Sequence, residues 1–279
     1  MSAGRPVLAA LAAGAGAIAA YRARTALSDR VQARWRRTNH AGEEVTLLEG
    51  PAFVVGAAAG AVLAGPGPTL ATVAAGAFGA LDDLAGDASS RGLRGHVGAL
   101  ASGRVTTGAV KILGLAASGL LAAALADRRA DPQDRRAPAR PGAVGTLVGG
   151  AVVAGSANLV NLLDLRPGRA LKATTIAGGV LLARPRRPGA AAAAASVGAA
   201  LALLRPDLGE EAMLGDTGAN AAGALVGSAL VQRTGTRGRL IALAVLTGLT
   251  LASEKVSFTR VIESTPVLRD LDALGRRAR

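Results

Sequence analysis

The sequence contains no cysteine, and its only histidines are His40 and His96. The lack of cysteine excludes disulfide bonds, thiolate metal sites and cysteine nucleophiles. Two histidines are too few for a zinc site built from a histidine cluster, so any bound metal is expected to be a hard ion such as magnesium, held by carboxylates. The acidic residues are therefore the candidates for catalysis and metal binding.

Aromatic residues make up only 2% of the chain and charged residues only 18%, whereas 50% of the residues are hydrophobic. The apolar residues are mainly Ala, Leu, Val and Gly, and small side chains of this kind let helices approach closely in lipid. A large water-soluble core normally contains more Phe, Ile and Tyr. The composition favours a membrane protein over the alternative, a soluble Ala-rich helical bundle.

Nine apolar segments are separated by clusters of Pro, Gly and Arg, and this pattern predicts an all-α fold, a polytopic transmembrane helical bundle of about nine spans. Several segments are shorter than the roughly 20 residues that a straight span needs, so their flanks are expected to add helical turns. We expect one integral membrane domain over residues 1–279, with a cytoplasmic tail at 253–279. The segments are 6–21, 51–64, 68–81, 108–126, 142–163, 170–183, 189–204, 217–231 and 240–252.

The formal net charge is +13, but the arginines flank apolar segments, where anionic lipid headgroups lie. The expected partner is therefore the membrane, and no nucleic acid is expected. If the loop after the first segment is cytoplasmic, 19 Lys and Arg residues fall on that side and 11 on the opposite side. This bias predicts a cytoplasmic C-terminus, although the five arginines of residues 128–140 oppose it.

Acidic side chains stand at the ends of three apolar segments, where a charge is costly and a functional site is expected. Asp82 and Asp83 close the third segment, Asp164 closes the fifth and Asp216 opens the eighth. In the nine-span topology all of these positions face the cytoplasm. Neighbouring side chains on a helix point in different directions, so Asp82 and Asp83 are expected to have different partners.

The spacing around Asp164 and Asp216 adds polar candidates. Asn158, Asn161 and Asp164 are three residues apart at each step, so on a helix they lie near one face and are expected to project into a polar cleft. Two glycines flank Asp216, and a helix that starts there supplies free amides for an anion. Interfacial caps, helix-to-helix hydrogen bonds and an ordinary turn are the structural alternatives. The three acidic segments occur in this order and all face one side of the membrane, which favours a shared site over these alternatives.

These segments resemble the three acidic motifs of the polyprenyl-phosphate N-acetylhexosamine-1-phosphate transferases, a superfamily that includes the phospho-N-acetylmuramoyl-pentapeptide transferase of peptidoglycan synthesis. The motifs lie at residues 79–83, 158–164 and 213–218, and the resemblance extends roughly over residues 50–230. Residues 107–115, which carry Lys111, resemble the basic helix that follows the Asp pair in the superfamily. The chain is accordingly identified as a divergent member.

The resemblance implies a magnesium-dependent reaction at the cytoplasmic face of the bacterial inner membrane. A polyprenyl phosphate attacks a UDP-sugar and gives a lipid-linked diphosphate sugar and UMP. A homodimer is an arrangement that the sequence leaves open. The implied site residues are Asp82, Asp83 and Asp164 for catalysis, Asn158, Asn161 and Lys111 for substrate binding, and Asp216 for the metal.

Two departures from the superfamily leave alternatives open. The second motif usually continues as Asp-Gly-x-Asp-Gly, whereas Pro167 replaces the second acid here, and the histidine-rich motif of the last cytoplasmic loop is absent. The chain is therefore an active transferase, or a catalytically degenerate member that binds lipid or regulates envelope assembly. A membrane prenyltransferase is a third function, because Asp82, Asp83 and Asp87 resemble an Asp-rich diphosphate clamp. That enzyme needs a second Asp-rich motif, and the chain offers only single acids.

The C-terminal tail mixes charged and apolar side chains over residues 254–272. Such a segment either lies on the membrane surface and closes the cleft, or forms a solvated and loosely ordered end.

Overall fold

The computed structural model describes residues 4–85, 107–129 and 138–277, and 79% of these residues are helical. Asp87 and His96 lie outside the described residues. Short 3₁₀ turns follow the first and third helices at Arg24–Ala26 and Val62–Ala64. The elements are α1 Gly4–Ala23, α2 Asp29–Arg34, β1 Arg36–Thr38, β2 Glu44–Thr46, α3 Glu49–Ala61, α4 Pro66–Ala85, α5 Thr107–Arg129, α6 Ala143–Leu163, α7 Arg169–Leu182, α8 Ala190–Leu208, α9 Gly215–Arg233, α10 Thr236–Ser253, α11 Phe258–Ser264 and α12 Pro266–Ala273.

Each of the nine apolar segments coincides with a long helix, and most of these helices extend beyond the apolar residues at one end or both. Among the described residues, four helices are long and apolar enough to cross a membrane: α1 with its 3₁₀ turn, α5, α6 and α8. A fifth span results if α10 and α11, which are bent by 93° at their junction, are counted together. The chain is thus a helical membrane protein, and the number of nine spans stays a prediction.

Helix α9 shows why length and hydropathy do not identify every helix of the bundle. It packs against α3, α4, α6 and α8, and 13 of its 19 residues are buried. A helix that is enclosed on all sides needs small side chains rather than a lipid-facing stripe. Its Ala and Gly residues meet that need and lower its hydropathy.

The long helices alternate in direction, which places two chemically different ends on the bundle. One end, called the basic end, is where α1, α4, α6, α8 and α10 begin. Arginine side chains bind backbone carbonyls there: Arg5 donates to the carbonyl of Leu63, and Arg233 donates to the carbonyl of Arg184. At the other end, called the acidic end, α4, α6 and α8 finish, and α3, α5, α7 and α9 begin. All of the acidic motifs lie at the acidic end.

A buried ion pair joins four helices, α5, α6, α9 and α10, at the basic end. Arg239 of α10 is 1% exposed and binds both carboxylate oxygens of Asp127 of α5, at 2.9 and 2.6 Å. Its other N–H groups donate to the carbonyls of Gly145, Val231 and Thr234. A buried charge is tolerated when all its hydrogen bonds are made, so this pair has a structural role.

Glycines bring α9 into direct backbone contact with its neighbours. A Cβ atom placed on Gly79 of α4 would lie 2.2 Å from the carbonyl oxygen of Asp216. One placed on Gly50 of α3 would lie 2.3 Å from the carbonyl oxygen of Leu214. Only glycine permits these approaches, which set the start of α9 directly against the acidic motif of α4.

A two-stranded antiparallel hairpin covers part of the acidic end and is the one sheet in the described residues. Arg36 pairs with Thr46, and Thr38 pairs with Glu44. The hairpin is tied to the segment before α9, because Met213 donates to the carbonyl of Thr46 at 3.0 Å. Asn39, at the end of β1, donates to Glu210 at 2.8 Å.

Candidate active site

Asp83 binds the first turn of α9. Its carboxylate accepts from the backbone amide of Asp216 at 3.1 Å, and from the amide and hydroxyl of Thr217 at 2.8 and 2.6 Å. A carboxylate at a helix N-terminus satisfies amides that have no partner within the helix. The prediction that these amides are free for a substrate anion is therefore wrong, because the anion that occupies them is Asp83.

Asp82 points to a different partner. The Lys111 ammonium of α5 donates to Asp82 at 2.7 Å and also to Asp216 of α9. The exposed fractions of these side chains are 21% for Asp82, 15% for Lys111 and 26% for Asp216, so the group is sheltered but open at the acidic end. Three helices far apart in the sequence thus supply one cation and two anions to a single site.

Asp164 lies next to this group, directly after the last residue of α6. The backbone amide of Gly215 donates to its carboxylate, and Gly215 has a φ of 59°, which favours glycine. Burial raises the pKa of Asp164 well above its ordinary value, and the charges of Asp207, Asp216 and Asp83 act in the same direction. The three acidic motifs therefore meet at one end of the bundle.

Two further acids near Asp164 were not identified from the sequence. Glu49 is 0% exposed, and neither of its carboxylate oxygens has a hydrogen-bond partner among the described residues. Asp207 is 2% exposed and accepts from the amide of Gly168 at 3.0 Å. Carboxylates crowded in this way cannot all be charged without a counter-ion or a shared proton. In the sequence, each of these two residues is only a single acid close to the end of an apolar segment.

The two asparagines of the second motif do not share one environment. The Asn158 amide donates to the hydroxyl of Thr250 on α10 at 3.2 Å. This bond joins two neighbouring helices, which is the structural alternative for a membrane asparagine. Asn161 is half-buried, one turn before Asp164, and its backbone carbonyl accepts from the Asp164 amide. Asn158 therefore faces α10, whereas Asn161 is joined to Asp164 through its backbone.

Arg37 is a cation at the site that was not among the site residues predicted from the sequence. It lies on β1, and its guanidinium donates to the backbone carbonyl of Asp83. The hairpin thus holds an exposed guanidinium beside the Asp pair. Together with Lys111, it adds positive charge where an anionic substrate would approach from the acidic end.

The side chains present fit a magnesium ion. Magnesium prefers oxygen ligands and commonly takes one or two carboxylates together with substrate phosphates and water. The carboxylates of Asp82 and Asp216 already converge on one cationic group, the Lys111 ammonium. Within residues 4–85, 107–129 and 138–277, no group of three or more Asp, Glu or His side chains is placed to hold a metal. Substrate and water would supply the remaining ligands.

Comparison of the chain with known protein families and with curated proteins found no match.

Proposed function

We propose that this protein transfers a phospho-sugar from a UDP-sugar to a polyprenyl phosphate, giving a lipid-linked diphosphate sugar and UMP. In this proposal it is a divergent polyprenyl-phosphate N-acetylhexosamine-1-phosphate transferase with nine spans and a cytoplasmic active site. The observation that carries the proposal is the Asp82–Lys111–Asp216 group, beside Asp83, at the ends of membrane helices. A lipid phosphate and a soluble nucleotide sugar can meet at such a boundary.

The charges of the site suit a reaction between two anions. An oxygen of the acceptor phosphate forms a bond to the β-phosphorus, and the bond between that phosphorus and the oxygen of the α-phosphate breaks. Transfer between phosphates needs cations that offset their repulsion and hold them in line. Lys111 and Arg37 supply fixed positive charge. Asp82 and Asp216 would hold the magnesium ion, whose charge would further reduce the repulsion between the phosphates.

The neighbouring side chains hold this arrangement in place. Asp83 binds the first turn of α9 and thereby positions Asp216, which lies in the same turn. Asp164 binds the amide of Gly215 from the other side. Preorganised charges of this kind stabilise a transition state without moving during the reaction. Asp83 and Asp164 are thus expected to act mainly through the position of α9.

The test is a reaction of the purified protein with magnesium, undecaprenyl phosphate and a panel of UDP-sugars. Release of UMP and a lipid-linked diphosphate sugar, detected by mass spectrometry, are the expected results. Asp216→Asn is expected to lower turnover at least about a hundredfold, because the amide lacks the charge that the site supplies. Asp29→Asn, at an exposed position of α2, is the matched control and is expected to keep wild-type turnover.

Other outcomes point to the other functions. Binding of undecaprenyl phosphate without UMP release from any UDP-sugar would identify a catalytically degenerate member. A product that requires an allylic diphosphate would identify a prenyltransferase. Wild-type turnover of Asp216→Asn at low magnesium would remove Asp216 from the metal site.

A further inference from the structure

Two short helices, α11 and α12, follow α10 at the acidic end. Helix α11 is turned by 93° from the axis of α10. A helix at a right angle to a spanning helix runs along the membrane surface rather than through it. Residues 257–277, called the C-terminal clasp below, therefore begin at the height of the lipid headgroups if α10 crosses the bilayer.

A buried ion pair holds the clasp to the bundle. Arg169, the first residue of α7, binds both carboxylate oxygens of Asp272 at 2.8 and 3.0 Å, and the exposed fractions are 4% and 8%. Arg169 also donates to the hydroxyl of Thr259 on α11 at 2.9 Å. Burial acts to raise the pKa of Asp272, but the hydrogen bonds and charges of Arg169 and Arg276 outweigh it and lower that pKa. Asp272 is therefore charged at neutral pH.

The clasp also contacts the loop that follows Asp164. Arg276 donates to the carbonyl of Pro167 at 3.0 Å, and the amide of the next residue, Gly168, donates to Asp207. Lys172 donates to the carbonyl of Asp272 at 2.6 Å. The same segment of chain is thus held by the clasp on one side and by the acidic cluster of the candidate site on the other.

One face of α12 is apolar and exposed. Val267, Leu271 and Leu274 are 77%, 41% and 66% exposed. The spacing of four residues places Val267 and Leu271 on one face of α12, away from the face that carries Asp272, and Leu274 directly follows the last residue of the helix. Helix α10 also exposes apolar side chains, among them Val245 at 56%. An exposed apolar stripe at the end of a membrane helix fits lipid better than water.

Basic residues accompany the apolar stripe. Arg260, Arg269 and Arg277 of the clasp are exposed, and Arg276 is half-buried. Asp272, one of the three acids of the clasp, is neutralised by Arg169. Exposed arginines beside an apolar face complement anionic headgroups, which attract basic residues at the membrane surface. Charge and hydrophobicity therefore point to the same partner.

We propose that α12 is a membrane-surface helix that inserts Val267, Leu271 and Leu274 among anionic lipids and ties the Asp164 loop to the membrane through the Arg169–Asp272 pair. This inference requires only the membrane location and does not depend on the proposed transfer reaction. Its partner is a lipid surface with anionic headgroups.

The first experiment locates α12 relative to lipid. Val267→Cys and Ala273→Cys, introduced singly into this cysteine-free chain, are labelled with a fluorophore in nanodiscs of phosphatidylcholine and phosphatidylglycerol. Ala273 is exposed on a different face of α12 and is the matched control. The label at 267 is expected to lose most of its fluorescence to brominated lipids and little to iodide, and the label at 273 the reverse. Quenching of both labels by iodide alone would overturn the proposal.

The second experiment tests the ion pair. Asp272→Asn is expected to raise the rate of tryptic cleavage within the clasp about a hundredfold, the change expected from breaking a buried pair. Asp270→Asn removes the same charge two residues away, at an exposed position, and is expected to leave the rate unchanged. Thr259→Val removes one hydrogen bond from Arg169 and is expected to raise the rate about fivefold. Wild-type cleavage rates in both Asp272→Asn and Thr259→Val would show that Arg169 does not hold the clasp.

Discussion

Asp82 and Asp83 are adjacent in sequence but have different partners. Asp82 binds the Lys111 ammonium, a side chain that also binds Asp216, whereas Asp83 binds the backbone of α9. The first environment is expected to change if a phosphate or a cation binds there, because every member is a charged side chain. The second is part of the fold, because its members are the amides of a helix terminus.

Substitution of the two acids is accordingly expected to differ in kind. Asp82→Asn is expected to lower turnover strongly and to change the stability little, since its site is partly open to solvent. Asp83→Asn is expected to lower the free energy of unfolding by about 1–2 kcal/mol, because an amide group presents one acceptor where the carboxylate presents two. Turnover under the assay above and denaturant unfolding in detergent measure both effects. Equal losses of stability in the two variants would contradict this division.

Helix α9 connects the site with the packing of the bundle. Its first turn carries Asp216 and binds Asp83, and its remaining turns pack mainly against α3, α4, α6 and α8. Because it contains Ala and Gly rather than large side chains, its neighbours contact its backbone closely. The position of the candidate site therefore depends on how closely α9 packs against its neighbours, as it does against α4 at Gly79.

Gly79→Ala is expected to lower the free energy of unfolding by about 1–3 kcal/mol, because its methyl group would overlap the Asp216 carbonyl and force α4 and α9 apart. Gly179→Ala is the matched control, since a Cβ atom at this helical position meets no atom within 4 Å. The control is expected to raise the stability by about 0.5–1 kcal/mol through helix propensity. Denaturant unfolding of both variants measures the difference. Stabilisation of both would mean that α4 and α9 are not in close contact.

The whole bundle is asymmetric in charge between its two ends. The acidic end gathers the carboxylates of four long helices together with Lys111, whereas the basic end holds arginines of the loops and one buried acid, Asp127, within the described residues. Alternating helix directions produce this separation, because consecutive loops fall on opposite sides. The charge bias of the loops then predicts that the acidic end faces the cytoplasm.

Cysteine labelling of intact cells tests this orientation. Glu44→Cys, in the hairpin at the acidic end, is expected to react with a membrane-impermeant reagent only after the cells are opened. Arg186→Cys, in the turn between α7 and α8 at the basic end, is expected to react in intact cells. The natural chain has no cysteine and is the background control. The reverse pattern of labelling would place the candidate site outside the cytoplasm.

The apolar segments and the acids at their ends could be read from the amino-acid sequence. Each apolar segment became a helix, and Asp82, Asp83, Asp164 and Asp216 came to lie at one end. This part was predictable because hydrophobicity along the chain is a local property, and because alternating helix directions assign every second loop to the same side. The cost of a charge within lipid is also independent of which helices are neighbours.

The partners of these residues depended on the packing of distant helices. Hydropathy did not show that Asp83 would bind the amides of α9, that Asn158 would turn toward Thr250, or that Glu49 would be buried beside Asp164. The sequence did not decide between a tail on the membrane surface and a solvated tail for the same reason. Asp272 differs from an ordinary surface acid only through its contact with Arg169, 103 positions away. Contacts of this kind depend on helix-to-helix distances and rotations, which arise when the small side chains of the whole bundle pack together.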